Sequence, residues 1–148
     1  MKISTKGLYA VRVLADIARS DKNIVPLSEI SQRQGISLKY LEQIVSKLVK
    51  TKLLVGSRGQ NGGYALAKTS KEISVGEILD ATGDGVKLVA CAHKDCPRIE
   101  KCDSVGVWFK LSNLINDYIY SVKLADLIEN SVNCLKENKS WLLDFLNK

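Results

Sequence analysis

The chain has 148 residues, is 45% hydrophobic and carries a net charge of +6, which fits one domain, or one small domain with an appended element, and gives enough apolar material for a core. Its apolar runs are short and broken by charges, which argues against any membrane-spanning segment, and the start at Met1–Lys6 has neither a secretory apolar region nor a small-residue cleavage site. A cytoplasmic protein is expected, and in that compartment clustered cysteines are ligands or redox thiols rather than structural disulfides.

The charge is unevenly spread. Residues 1–68 hold 12 Lys/Arg against 4 Asp/Glu, a balance of +8, whereas residues 69–148 hold 10 against 12, a balance of −2. A basic half joined to a mildly acidic half implies a polyanion-binding module fused to something else.

Residues 5–19 read as a helix with Leu8, Val11, Ala15 and Ala18 on one face and Leu14 beside them. Asp21-Lys22-Asn23 and Pro26 break the pattern. A short helix from Ser28 to Gln34 follows, anchored by Ile30, with Gly35 placed to end it and Ile36 as a plug. Ser37 is expected to cap the next helix by accepting from a freed backbone N–H. That helix runs from Leu38 to Thr51 with Leu41, Ile44, Val45 and Leu48 as its buried stripe. A short helix, a glycine-containing turn and a second amphipathic helix form a helix-turn-helix pattern, whose second helix enters the major groove of double-stranded DNA.

On this reading Lys39 and Gln43 read base edges, Lys favouring guanine and Gln adenine. Lys47 and Lys50 lie nearer phosphates, and Glu42 can accept from a cytosine amine while being repelled by phosphate. Two apolar runs, Leu53–Arg58 and Tyr64–Ala67, enclose Gly59-Gln60-Asn61-Gly62-Gly63 and predict a β-hairpin. Behind a helix-turn-helix such a hairpin is a wing, with Arg58 at its tip able to reach phosphates or a minor groove. A strand rather than a helix follows the glycines, and no Gly-Lys-Ser/Thr occurs, so a nucleotide-binding loop is a poor reading.

Ser74-Val75-Gly76-Glu77 fits a capping box opening a helix that ends near Gly83. Val86–Val89 reads as extended and delivers the chain to Cys91. Cys91, Cys96 and Cys102 then fall within twelve residues, with His93, the chain's single histidine, between the first two. Soft thiolates this close suit a metal or an iron–sulfur cluster, and zinc is a candidate because three Cys with a His is a known structural set. Three free thiols sensing oxidants is a third reading, since Lys94, Arg98 and Lys101 favour thiolates. A Cys–His nucleophile is disfavoured because no glycine-rich oxyanion loop surrounds the pair, so an enzyme is not expected.

Asp103 or Ser104 can cap a long helix to Ser121, on which Trp108, Leu111, Ile115, Tyr118, Ile119 and Val122 make one apolar stripe widened by Val107 and Leu114. So wide a face on one small domain predicts a dimerisation helix, and a two-fold dimer matches a pseudo-palindromic DNA site. Leu124, Leu127, Ile128, Val132 and Leu135 continue as a further helix, with Cys134 as a small buried apolar residue. The expected fold class is mainly α with a small β-hairpin wing. It divides into a winged helix-turn-helix over 1–83, a cysteine-bearing sensor loop over 84–103, and a dimerisation helix with a helical tail over 104–148.

Three stretches in order, Met1–Gly7, Gly35–Gln43 and Arg58–Tyr64, resemble the family of bacterial dimeric winged-helix transcription regulators that includes IscR, NsrR and CymR. The similarity covers residues 1–130. It implies DNA-binding roles for the recognition helix, Lys39 to Gln43, and for the wing, Arg58 to Gly63. With the helix pattern, the expected DNA-binding residues are Ser37, Lys39, Tyr40, Glu42, Gln43, Lys47, Arg58, Gln60 and Asn61, and charge logic together with the resemblance makes Glu42 the discriminating residue. Iron–sulfur members carry three cysteines before the dimerisation helix, so the chain looks nearest to the IscR branch. The resemblance implies a 2Fe–2S rather than a 4Fe–4S cluster on Cys91, Cys96 and Cys102. The spacing here is Cys-x4-Cys-x5-Cys where the family has x5 twice. Val105 stands where IscR-type members place a histidine, and Leu8 where nitric-oxide sensors supply an acidic ligand. The fourth position is therefore left to His93, Asp95 or Asp103, Cys134, or an exogenous thiol or water.

Overall fold

The computed structural model describes residues 3–59, 61–85 and 99–130. Three helices come first, α1 (Thr5–Arg19), α2 (Leu27–Gln34) and α3 (Leu38–Lys50). The hairpin β1 (Leu54–Ser57) and β2 (Gly63–Leu66), the helix α4 (Val75–Thr82), a 3-10 turn (Ile99–Lys101) and the helices α5 (Val105–Ser121) and α6 (Leu124–Asn130) complete the order. Among the described residues the fold is helical with one two-stranded antiparallel sheet, a winged helix-turn-helix followed by a long helix.

The N-terminus of α1 is fixed by Ser4, whose hydroxyl accepts from the Gly7 amide at 3.2 Å. Its buried apolar residues are Ala10, Val13, Leu14, Ala15 and Ile17. Of the face read from periodicity, Ala15 and its neighbour Leu14 are buried, Val11 and Ala18 pack partly buried against the core, and Leu8 points away from it. The helix is apolar on more than one side, so its 3.6-residue period has two solutions. Packing against α3, α4 and β2 selects one of them. Leu8 stays 52% exposed and lines an apolar hollow of about 480 Å³ with Ile3, Val11, Val75, Leu79 and Leu127.

Gly35 ends α2 in the left-handed region, φ 64°, a conformation that costs glycine nothing. Ile36 behind it is buried. Ser31 Oγ donates to the Ile36 carbonyl at 2.6 Å, and Arg12 Nη2 donates to the Gln34 carbonyl at 2.8 Å. The second bond satisfies a carbonyl that the end of the helix leaves without a partner, and the first ties the turn after Gly35 back to α2. Leu41, Ile44, Val45 and Leu48 of α3 are buried as the pattern requires. Ser37 occupies the N-cap position of α3 but makes no side-chain cap bond, a departure from the expected cap, so its hydroxyl is left facing solvent.

The hairpin pairs Leu54 with Leu66 and Ser57 with Gly63. Val25, in the segment before α2, adds a bridge to Tyr64 through two bonds of 2.9 Å, which anchors the wing's base to the helix-turn-helix. A side chain at Gly63 would collide with the Val25 carbonyl. The capping box of α4 forms as expected, with Ser74 and Glu77 each bonding the other's backbone amide. The Ser74 amide and hydroxyl hold the Glu77 carboxyl below its ordinary range.

None of the residues of α5 is buried. Ser104 holds its N-cap position without a side-chain cap bond. The far end of α5 docks: the Tyr120 ring lies against Gly76, where a Cβ would come within 2.5 Å of it, and its hydroxyl donates to Asp80 Oδ2. The chain then turns back onto the body, with the Leu124 amide donating to Ile73 O at 2.8 Å. Leu124 is fully buried in the same core as α1 and α3. The boundary expected at residue 104 assigns Leu124 to the dimerisation helix and its helical tail, whereas it packs in the core of the N-terminal helices. Val86–Val89, Val132, Cys134 and Leu135 lie outside the described residues.

Candidate nucleic-acid interface

The outward face of α3 presents Lys39, Glu42, Gln43 and Ser46 to solvent, with Lys50 at its end. Tyr40 is half-buried and meets Tyr9 of α1 edge-on, ring centroids 5.8 Å apart at 88°. Arg12 lies over the Tyr9 ring at 5.3 Å. Tyr40 is thus held by packing, as an aromatic edge-to-face pair prefers. Arg12, bonded to both Gln34 atoms that accept from it, stands beside the same aromatic pair.

Between α3 and the wing runs a groove of about 700 Å³, whose lining includes Glu42, Ser46, Lys50, Arg58 and Gly59. Arg58 and Asn61 are exposed at the wing tip. The tip turn is closed by the Gly62 amide donating to Gly59 O at 2.9 Å. Gly59 has φ 110°, and a Cβ at Gly62 would approach the Ser57 carbonyl to 2.5 Å. The backbone there demands glycine, and the lack of side chains leaves room for another backbone to come close. Gln60 lies outside the described residues.

Lys47, expected nearer the phosphates than the bases, is engaged within the protein. Its ammonium is turned inward and donates to the Thr82 carbonyl at 2.9 Å. The reason is local: Thr82 ends α4, and that last turn has no basic residue of its own to meet the negative end of the helix.

The angle between α1 and α2 is set by a network that the sequence did not signal. Asp16 of α1, with a side chain only 5% exposed, accepts from Arg33 Nη2 at 2.5 Å and from Gln34 Nε2 at 2.6 Å. Arg33 also reaches Glu29 at 3.2 Å, and Lys22 meets Glu29 at 2.7 Å. Burial pushes the Asp16 carboxyl upward, but bonds from Arg33 and Gln34 and the charges of Arg33 and Arg19 outweigh it, so it titrates below its ordinary value. Seventeen residues separate Asp16 from Arg33, too far for a helical spacing rule to reveal the pair.

Of the cysteine site, Cys102 alone is described. It is half-exposed at the end of the 3-10 turn, with its sulfur 3.5 Å from Ser104 Oγ. The Ser104 hydroxyl and amide lower its pKa, against opposing contributions from desolvation and Asp103. Cys91, His93 and Cys96 lie outside the described residues, as does Asp95.

A family model described as iron-dependent transcriptional regulators, Rrf2, matches residues 3–130. The chain belongs to the Rrf2 family. The regulator IscR of Erwinia tasmaniensis is 41% identical over 132 residues, covering 88% of this chain and 80% of that protein, and IscR of Serratia proteamaculans is 40% identical over the same shares. Among solved structures, CymR of B. subtilis, described as its global cysteine regulator, matches with a TM-score of 0.72 and 28% identity, covering 87% of this chain and 97% of that one. IscR of T. potens matches with a TM-score of 0.67 and 33% identity over 88% of each. The chain is a transcription regulator of the winged helix-turn-helix type and not an enzyme. No helix among the described residues is long and apolar enough to cross a membrane.

Proposed function

We propose that this Rrf2 regulator is a homodimer that binds a pseudo-palindromic DNA site and senses iron–sulfur status through Cys91, Cys96 and Cys102. The observation that carries the reading is the position of Cys102: a half-exposed thiol, its pKa lowered by the Ser104 hydroxyl and amide, three residues before a long helix with no buried residue. Soft cysteine sulfur suits an iron–sulfur centre. Such a group supplies redox and ligand-exchange chemistry when bound, and 2Fe–2S is the form expected here. Cys91, Cys96 and Cys102 would hold it with His93 as the fourth donor.

Dimerisation is supported by two apolar surfaces on one protomer. Val107, Leu114 and Tyr118 of α5 are 63%, 58% and 69% exposed, and the hollow around Leu8 is lined almost wholly by apolar side chains. Exposed apolar area of this kind marks an interaction surface. In the DNA contact, Lys39 and Gln43 read bases, Ser37 and Tyr40 flank them, Arg58 and Asn61, with Gln60, approach the backbone from the wing, and Glu42 discriminates between sites by its charge. Most of the non-specific affinity comes from the basic side chains.

Anaerobically purified protein is expected to be coloured, with iron and acid-labile sulfide in equal amounts, and Cys102→Ala to lose both. Colourless protein with stoichiometric zinc refutes the cluster. Leu114→Glu is expected to convert the dimer to monomer in sedimentation, and an unchanged dimer removes α5 from the interface. The second reading, a metal-free or zinc-binding thiol regulator, is favoured by the same lowered Cys102 pKa and by the likeness to CymR. It predicts oxidant-dependent DNA binding in protein without iron.

A further inference from the structure

The last turn of α4 and the two residues after it are tied to three other helices. Lys47 of α3 donates to the Thr82 carbonyl at 2.9 Å. Thr82 Oγ1 donates to Asp84 Oδ2 at 3.1 Å, and the same carboxylate oxygen accepts from Ser4 Oγ, the α1 cap, at 2.5 Å. Asp84 also sits against the first turn of α1, where a side chain on Gly7 would collide with it. Asp80 accepts from Tyr120 of α5, and its other oxygen lies where a Cβ on Gly85 would come within 2.6 Å. Beyond Gly85 the chain leads to Cys91.

Lys47 stands apart from the other cations of α3. Lys39 and Lys50 are exposed, whereas Lys47 is half-buried and committed to a backbone carbonyl. A helix C-terminus leaves its last carbonyls without partners and carries partial negative charge, so a cation there is held by both hydrogen bond and dipole. The recognition helix thereby supplies the basic residue that α4 lacks. A side chain held there is not free to follow a phosphate.

We propose that Lys47 is a positioning residue for DNA recognition, fixing α3 against the Thr82–Asp84 turn rather than contacting DNA. The proposal rests on the reading of α3 as the recognition helix. It makes the Thr82–Asp84 turn, from which the chain departs toward the cysteines, a point where strain acts directly on the DNA-reading element. A residue that touches neither ligand but joins two elements alters coupling by a factor of about 2 to 30.

The test compares Lys47→Met, which keeps the length of the side chain and removes its charge, with Asp84→Asn, which loosens the same turn from outside α3. Each is measured on the full-length protein with a duplex selected from random sequence by the wild type and with a scrambled duplex of the same composition, over a salt series. Each variant is expected to lower the ratio of specific to scrambled affinity about 2- to 30-fold, with the salt slope unchanged. The double variant is expected to be no worse than the poorer single one, because both act through one turn. A salt slope reduced by about 0.9, with both duplexes weakened alike, would mean that Lys47 neutralises a phosphate and overturns the proposal, as does an unchanged ratio in both variants. Lys39→Ala separates the underlying reading: if it leaves affinity and slope untouched, α3 is not the recognition helix and the proposal falls with it.

Discussion

Replacing Asp16 with asparagine keeps the shape of the side chain and removes its charge. The carboxylate accepts from Arg33 on both oxygens and from Gln34 on Oδ2, so the amide nitrogen of asparagine must face a donor whichever way it turns. Hydrogen bonds to a charged group contribute about 1.5–3 kcal/mol each. Arg33 is 42% exposed and regains water when released, so its share is discounted. A total of about 1.5–3 kcal/mol remains, a large part of the stability of a small domain, and lowers Tm by roughly 3–12 °C. The pH dependence carries a sign. Asp16 titrates lower in the folded protein than its ordinary value, so its contribution is complete above the unfolded pKa of about 3.9 and is lost as pH falls through the folded value. Urea unfolding followed by circular dichroism should show the full gap between wild type and Asp16→Asn at pH 7 and a narrowing gap below about pH 4. A gap under about 0.5 kcal/mol at pH 7, or one that does not change with acid, refutes the assignment of Asp16 as the brace between α1 and α2.

Tyr120 is held in its neutral form, chiefly by its bond to Asp80 with burial adding to it, and its pKa is pushed up to about 12. The bond therefore stabilises the fold fully below about pH 10 and is lost as pH rises through 12. A spectrophotometric titration should lose its highest-pH tyrosine component in Tyr120→Phe; a component that persists refutes the contact. Gly76→Ala forces a methyl group against the Tyr120 ring and should destabilise by about 1–3 kcal/mol. Combining it with Tyr120→Ala should give less than the sum of the two in denaturant melts, and strict additivity contradicts the packing. Arg58→Ala is expected to weaken binding to every duplex and to reduce the salt slope by about 0.9. An unchanged slope in filter binding takes the wing tip off the DNA backbone.

The sequence by itself determined the elements and their order. Strong local signals did this: a glycine that only a left-handed turn requires at Gly35, a capping box at Ser74 and Glu77, and a glycine-rich turn between two short apolar runs. The stripe of α3 was legible because its polar and apolar faces are cleanly separated, so its period admits one solution. Tertiary structure decided the rest. The face of α1 that is buried could not be chosen from a helix apolar on more than one side, and only packing against α3, α4 and β2 picked Ala10, Val13, Leu14, Ala15 and Ile17. The fate of Lys47 was equally hidden, since its partner is a backbone carbonyl 35 residues away. A carbonyl leaves no mark in the sequence, and a long flexible cation goes to whichever acceptor the fold places within its reach. Asp16 with Arg33 and Asp80 with Tyr120 are bonds of the same kind, between helices whose relative placement no local rule encodes.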